Sequence, residues 1–234
     1  MSMIVDRKSA RVAGLVYLVM IVTTGLWYGI GQTFMGLDPA ATVARLQSNR
    51  TVFELAILSG AIGFVDFLVL GLLLYRLFSS VGEGAARMML AFMAVSVPLS
   101  LGSVARQMDA LSLLDSGRTL TGLPIDQLIA VALQGYTNLF LVSSIFSGLW
   151  LIPFGWLVLR SRFLPRTVGV LLLSGSVFYV LAFVGTVMNP QYGSTRVAQV
   201  VGVVSGVPAI LGELGACIWL LMARAPRRGM AIVS

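Results

Sequence analysis

The chain has 234 residues, of which 58% are apolar and only 11% are charged, and its mean hydropathy is +0.94. A soluble domain carries about 25% charged residues, so this composition excludes an ordinary water-soluble fold and indicates a protein that crosses a membrane several times. The net charge of +7 does not indicate nucleic-acid binding, because the basic residues cluster at the ends of apolar runs and form no basic face.

Two features of the composition narrow the chemistry further. The sequence contains no histidine, which excludes histidine-ligated haem, histidine-containing zinc sites and every catalytic triad built on histidine. Its single cysteine, Cys217, lies inside an apolar run and cannot form an intrachain disulfide. There is also no phosphate-binding glycine loop, CxxC pair or GxSxG elbow, so we expect no cofactor and no metal.

Six apolar segments are long enough to cross a bilayer, which takes about 20 helical residues. The first is too long for the apolar part of a signal peptide and no clean cleavage site follows it, so we interpret it as a retained span. We predict one all-α domain over residues 1–234, a six-transmembrane helix bundle with one or two short interfacial helices. The predicted spans are at about 12–30, 52–78, 85–105, 136–159, 167–188 and 197–222.

The segments between the spans carry capping and turn signals. Asp38 and Pro39 precede a run of helix-forming residues, which predicts a short interfacial helix with the aspartate as N-cap and the proline at the first helical position. The segment from Arg106 to Pro124 is interpreted as a polar loop. The stretch from Asp126 to Leu159 is too long for one perpendicular span, so we place its first turns in the interface and its membrane part from about Tyr136.

The stretch from Leu157 to Leu173 indicates the orientation of the bundle. One apolar run ends at Arg160, turns at Pro165 and continues as another apolar run, with three arginines in the turn. With the N-terminus inside, the cytoplasmic ends of the spans and their loops hold eleven basic residues and the outer side holds five. Because cytoplasmic loops are enriched in Lys and Arg, we predict that both termini are cytoplasmic.

Two acidic residues, Asp66 and Glu213, lie deep inside apolar spans. They precede Arg76 and Arg224 by ten and eleven residues, which places both roughly 15 Å from the cytoplasmic boundary at 1.5 Å per residue. An ionised carboxylate at this depth costs about 2.5–3.5 kcal/mol, and no basic residue lies at the same level. If the two acids face each other they share a proton, which predicts a proton-linked or cation-binding site. The alternative is two neutral acids that only hydrogen-bond to neighbouring helices.

Smaller polar residues fall at a matching depth on other spans. Ser96 begins a polar stripe on the third span, Tyr179 lies on one face of the fifth, and Tyr17, Thr24 and Tyr28 share a face of the first. We predict Tyr179 and Ser96 as hydrogen-bonding neighbours of the acids. The alternative for each stripe is close helix packing, in which small and hydroxylated residues are enriched.

The last span contains a GxxxG pair, Gly202 and Gly206, followed by Pro208 and then Glu213. A kinked, glycine-rich helix that carries a buried acid is physically similar to the broken helices that bind substrates in transporters. Packing of the glycines against a neighbouring helix is the alternative.

Four short groups of residues, spread in order over nearly the whole chain, carry a family resemblance. They are Ala10 to Leu18, Leu74 to Leu77, Gly148 to Gly155 with Arg160-Ser161 and Leu164 to Leu172, and Gly212-Glu213-Leu with Trp219-Leu-Leu. On these residues the chain resembles a bacterial family of multi-pass membrane proteins known as domain of unknown function 4386. The resemblance implies a bacterial inner-membrane protein of about six spans without an assigned activity, and it supplies no catalytic residues.

Taken together, these observations predict an integral membrane protein that binds or transports a small or lipophilic molecule through a mid-membrane site with protonatable Asp66 and Glu213. One alternative is a non-catalytic accessory subunit that packs against another membrane protein. The other is an enzyme that modifies a membrane lipid, which the absence of a nucleophile motif disfavours, so we lean against catalysis. The expected partner is the lipid bilayer and not nucleic acid; a lipophilic ligand, a homo-oligomer and a membrane-protein partner stay open.

Overall fold

The structure, a computed structural model, describes residues 7–36, 38–116, 124–161, 163–189, 191–192 and 195–222. Within these ranges the chain is helical and contains no strand. The elements in chain order are α1 (Arg7–Gln32), α2 (Pro39–Ser48), α3 (Arg50–Phe78), α4 (Glu83–Ser116), α5 (Ile125–Leu149), α6 (Leu151–Ser161), α7 (Arg166–Met188), α8 (Arg196–Val201), a π-helical segment (Gly202–Gly206) and α9 (Val207–Leu221).

Six helical stretches among these residues are long and apolar enough to cross a membrane, judged by their length and composition. They are α1, α3, α4, the pair α5 and α6, α7, and the final stretch from α8 to α9. The predicted all-α, six-span architecture is therefore confirmed.

The short helix α2 begins where its capping residues predict. The Asp38 carboxylate accepts a hydrogen bond from the backbone nitrogen of Ala41 at 2.9 Å, and Pro39 is the first helical residue. This bond satisfies one of the backbone N–H groups that have no partner within the first turn of a helix.

The predicted polar loop from Arg106 to Pro124 is wrong over its first half, because α4 continues as a helix to Ser116. This helix has 34 residues and passes through Pro98 without ending. The loop residues that the structure leaves out, 117–123, include Arg118 and lie outside the described residues.

Two kinds of contact stabilise this unexpected extension of α4. On one face, Gln107 and Ala110 are fully buried, so the helix still packs against its neighbours beyond the predicted span. At its end, the Asp115 carboxylate accepts two hydrogen bonds from the guanidinium of Arg50, one of them at 2.9 Å. Arg50 also donates to Glu54 of its own helix at 2.7 Å, so its guanidinium holds the start of α3 against the end of α4.

The fourth span consists of two helices that meet at Trp150. Pro153 is the third residue of α6, and because proline has no N–H it cannot donate to the carbonyl of Leu149 at the end of α5. Helical hydrogen bonds continue on both sides, from the backbone nitrogen of Trp150 to Phe146 at 3.1 Å and from that of Phe154 to Trp150 at 3.2 Å. The membrane part predicted for the fourth span, residues 136–159, lies within α5 and α6.

The tight turn predicted around Pro165 joins α6 and α7 into a hairpin. A glycine on each helix allows the two backbones to approach, since a Cβ added to Gly155 would lie 2.9 Å from the carbonyl oxygen of Gly169. The indole of Trp219 donates to the carbonyl of Phe163 at 2.8 Å, which ties the end of α9 to this turn.

The spanning helices form a closed ring. Around it, α1 contacts α3, α3 contacts α4, α4 contacts α5, α5 and α6 contact α7, α7 contacts α9, and α9 returns to α1. The most extensive contacts are between α4 and α5 and between α1 and α3. In this order, α1 lies between α3 and α9, the helices that carry the two membrane-embedded acids.

Aromatic side chains fill the ring at two levels. At one level, Trp150 stacks on Phe154 with ring centroids 5.3 Å apart and meets Tyr17 and Phe67 edge to face. At the other level, Trp27 is fully buried and meets three rings edge to face. Those rings belong to Phe64, Tyr136 and Phe140.

Glycines set the separation between α7 and α9. A Cβ added to Gly175 would lie 2.4 Å from the Cα of Ala209, and one added to Gly212 would lie 2.9 Å from the backbone nitrogen of Leu172. Because these neighbours are backbone atoms, they cannot move aside as a flexible side chain would. Any larger residue at Gly175 must therefore push the two helices apart.

We expect Gly175→Ala to lower the free energy of unfolding by about 1–3 kcal/mol, the usual effect of overpacking. Thermal unfolding of the purified protein in detergent should show this destabilisation as a lower Tm. The matched control is Gly29→Ala, because Gly29 is also helical and a Cβ there meets no atom within 4 Å. Equal Tm values for the two variants would contradict the close α7–α9 contact.

Candidate functional site

The carboxyl group of Glu213 lies where α9 packs against α1 and α7, and the residue is partly buried. The hydroxyl of Tyr17 on α1 donates to Glu213 Oε2 at 3.4 Å, which is long for a hydrogen bond between oxygens. The hydroxyl of Tyr179 on α7 also interacts with this carboxyl group. The acid is therefore flanked by two phenols from two different helices.

The register between α1 and α9 positions Tyr17 opposite Glu213. The two helices are antiparallel in the ring, and one turn away the thiol of Cys217 donates to the carbonyl of Gly14 at 3.5 Å. A Cβ added to Gly14 would lie 2.6 Å from the backbone nitrogen of Leu221, so only glycine permits this approach. The pair Gly14 and Tyr17 on α1 therefore faces the pair Cys217 and Glu213 on α9.

The helix that carries Glu213 is irregular just before the site. Residues Gly202–Gly206 form a π-helical segment, and Pro208 follows within the first turn of α9. Because Pro208 has no N–H, it leaves the carbonyl of Val204 without its usual helical partner. Single-turn π segments occur frequently at functional sites, which agrees with the predicted discontinuity in this span.

Among the residues that the structure describes, no positive side chain compensates the carboxyl group. Within the described ranges, Glu213 has no Arg or Lys partner, and the ion pairs of those ranges join residues at helix ends or near them. A carboxylate among apolar helices without a cation is unfavourable.

Asp66 is not part of this cluster. It lies partly buried on α3, and in the described part of the chain it makes no hydrogen bond and no ion pair. Helix α1 separates α3 from α9, and the groups that act on Glu213 are Tyr17 and Tyr179. The structure thus brings together Glu213 and Tyr179 of the predicted residues but leaves the second acid on the other side of α1.

Ser96 also lies apart from Glu213. It is buried in the contact between α4 and α5, where its hydroxyl is 3.3 Å from the hydroxyl of Ser147 and 3.5 Å from the carbonyl oxygen of Ser143. This arrangement agrees with the packing alternative for the polar stripe of α4.

Two residues of the cluster, Tyr17 and Cys217, were absent from the predicted site. Tyr17 had a signal in the sequence, since it begins a polar face on the first span, but nothing in the sequence indicated which helix this face contacts. Cys217 lies four residues after Glu213 and hence on the same face of α9. Only the antiparallel pairing of α1 with α9 brings these residues together.

Comparison with known proteins gives one match. A family model described as Domain of unknown function (DUF4386) matches residues 12–223, a range that contains Tyr17, Tyr179 and Glu213. No curated protein and no solved structure matches the chain.

We expect Cys217 to react with N-ethylmaleimide at least about tenfold more slowly than an exposed thiol, because it is 1% exposed and donates its S–H to Gly14. As the only cysteine, it can be followed by mass spectrometry without other mutations. The matched control is Cys217→Ser with Ser48→Cys, which places the thiol on the exposed part of α2. Similar rates in the folded proteins would contradict the α1–α9 contact.

Proposed function

We propose a function for this chain from the geometry around Glu213. The chain belongs to the family described as Domain of unknown function (DUF4386). It is a multi-pass membrane protein that binds or transports a small or lipophilic molecule through a mid-membrane site with a protonatable centre at Glu213. The observation that supports this proposal is one acid, inside a membrane bundle, with two phenol neighbours and no cationic partner in the described residues.

The two charge states of Glu213 favour different occupants of the site. When it is protonated, the carboxyl group is neutral and exchanges hydrogen bonds with Tyr17 and Tyr179. When it is ionised, it attracts a cation, and the rings of the two tyrosines add favourable cation–π contact. Proton binding and cation binding at the same group exclude each other, so the site links the two. The ligand class that fits best is a lipophilic cation or amine.

The other predicted residues take lesser roles in this proposal. Asp66 is kept as a second proton-binding group that acts separately, because α1 lies between it and Glu213. Ser96 belongs to the α4–α5 contact and does not bind the ligand.

The proposal places the protein in a bacterial inner membrane with both termini in the cytoplasm. The support for this orientation is the distribution of eleven basic residues against five on the two sides. The turn between α3 and α4 and the turn between α6 and α7 share one end of the bundle and carry Arg76, Arg87 and Arg160.

The accessory-subunit alternative depends on the GxxxG surface of the last span. A Cβ added to Gly206 would lie 3.5 Å from the ring of Phe178 in the same chain. A Cβ added to Gly202 would meet no atom within 4 Å. The two glycines therefore do not form one free surface, and no observation favours this alternative over the Glu213 site.

Infrared difference titration of the protein in bilayers detects protonation of carboxyl groups from their C=O stretching band. We expect a titrating band that is lost in Glu213→Gln and shifted in Tyr17→Phe, because the phenol that bonds the carboxyl is then absent. Asp66→Asn is the matched control and should retain the Glu213 band. A spectrum in Glu213→Gln that equals the wild-type spectrum would show that this residue does not titrate.

Binding of tetraphenylphosphonium, a lipophilic cation, tests the ligand class. We expect binding to weaken as the pH falls, because protonation removes the charge that attracts the cation. Glu213→Gln should bind about tenfold more weakly, a loss of about 1.4 kcal/mol, and without pH dependence, because the substitution removes the negative charge that attracts the cation. Asp66→Asn should bind as the wild type does. Unchanged affinity and pH dependence in Glu213→Gln would rule out a cation site at this residue.

A further inference from the structure

Two buried polar atoms near the end of α1 have no hydrogen-bond partner in the part of the chain that the structure describes. They are Nε2 of Gln107 on α4 and the hydroxyl oxygen of Tyr136 on α5, and both residues are 0% exposed. Buried donors and acceptors are rarely left without a partner, and an enclosed molecule is a common explanation where protein groups supply none.

The two atoms face one point beside Gly31. A Cβ added to Gly31 would lie 2.9 Å from the Tyr136 hydroxyl and 3.4 Å from Gln107 Nε2. The two atoms are therefore at most about 6 Å apart, and a single oxygen atom in the gap between them can hydrogen-bond to both. The side chain of Gln32 approaches the Tyr136 hydroxyl without reaching hydrogen-bond geometry, so a third polar group borders the gap and leaves the hydroxyl without a partner.

Trp27 determines which end of the Gln107 amide faces the gap. Its indole N–H donates to Gln107 Oε1 at 2.6 Å. Because an indole nitrogen only donates, the amide oxygen must face Trp27, and the NH₂ group must face the opposite way, toward Tyr136. The gap therefore presents N–H donors and a hydroxyl, and the matching partner is an oxygen that accepts hydrogen bonds. Neither protein group is charged, so the partner is neutral.

We propose that Gln107, Tyr136 and Gly31 form a second polar binding site, which holds a neutral molecule through one hydrogen-bond-accepting oxygen. The oxygen comes from one of two sources, an enclosed water molecule or the carbonyl group of a lipophilic molecule. This site lies apart from Glu213 and shares only α1 with it, so it holds whether or not Glu213 binds a ligand.

An experimental density map of the protein in nanodiscs, at a resolution that shows ordered water, tests the proposal. We expect density within hydrogen-bonding distance of both Gln107 Nε2 and the Tyr136 hydroxyl. A compact peak, with no added mass in native mass spectrometry, identifies water. Extended density, with an added mass that is lost in Tyr136→Phe, identifies a carbonyl compound. A gap without density, or a direct hydrogen bond between the two side chains, overturns the proposal.

Thermal unfolding of Tyr136→Phe provides an independent measurement. If the hydroxyl bonds a bound oxygen, its removal should lower Tm by about 2–4 °C. If the hydroxyl is unpaired, phenylalanine removes an unsatisfied group and Tm stays the same or rises, which contradicts the proposal. Tyr28→Phe is the matched control, because the Tyr28 side chain is exposed whereas that of Tyr136 is fully buried. Its Tm should equal that of the wild type.

Discussion

An acid among apolar helices must be neutralised, and the arrangement of α1, α7 and α9 follows from this constraint. Glu213 receives a hydrogen bond from Tyr17 and interacts with Tyr179, while no described basic residue reaches it. Two phenols can stabilise either charge state without cancelling the charge of the carboxylate. A salt bridge would have fixed one state permanently. In the proposed function, the surrounding pH or a bound cation determines the charge state of this carboxyl group.

Glycine contacts make the phenol arrangement possible. Tyr17 reaches Glu213 only because Gly14 lets the backbones of α1 and α9 approach, and α9 is held against α7 by the contacts of Gly175 and Gly212. In a membrane, helices do not associate through the hydrophobic effect, so close packing at small residues and hydrogen bonds between helices are the forces that remain. The residues that stabilise the bundle here are thus the same ones that position the site.

The sequence predicted the architecture well because its signals are local. The length of the apolar runs predicts the spans. Asp38 and Pro39 predict the start of α2, and the arginine-rich turn near Pro165 predicts the α6–α7 hairpin. The end of α4 was missed because the charged residues around Asp115 resemble a loop, whereas in the structure Asp115 itself pairs with Arg50, 65 residues away. A shared site of Asp66 and Glu213 was inferred from their common depth, on the condition that the two acids face each other. The depth of a residue does not indicate the order of the helices around the ring. That order places Tyr17 of α1, and not Asp66 of α3, next to Glu213.

The most direct measurement is the distance between the Glu213 carboxyl carbon and the Tyr17 ring carbon that bears the hydroxyl, obtained by solid-state NMR on selectively labelled protein in bilayers. The account predicts that these carbons are close enough for a hydrogen bond between the two side chains, and that the carboxyl carbon of Asp66 shows no such proximity to Glu213. A Glu213 carboxyl group that contacts lipid, or that pairs with an arginine, would contradict the account.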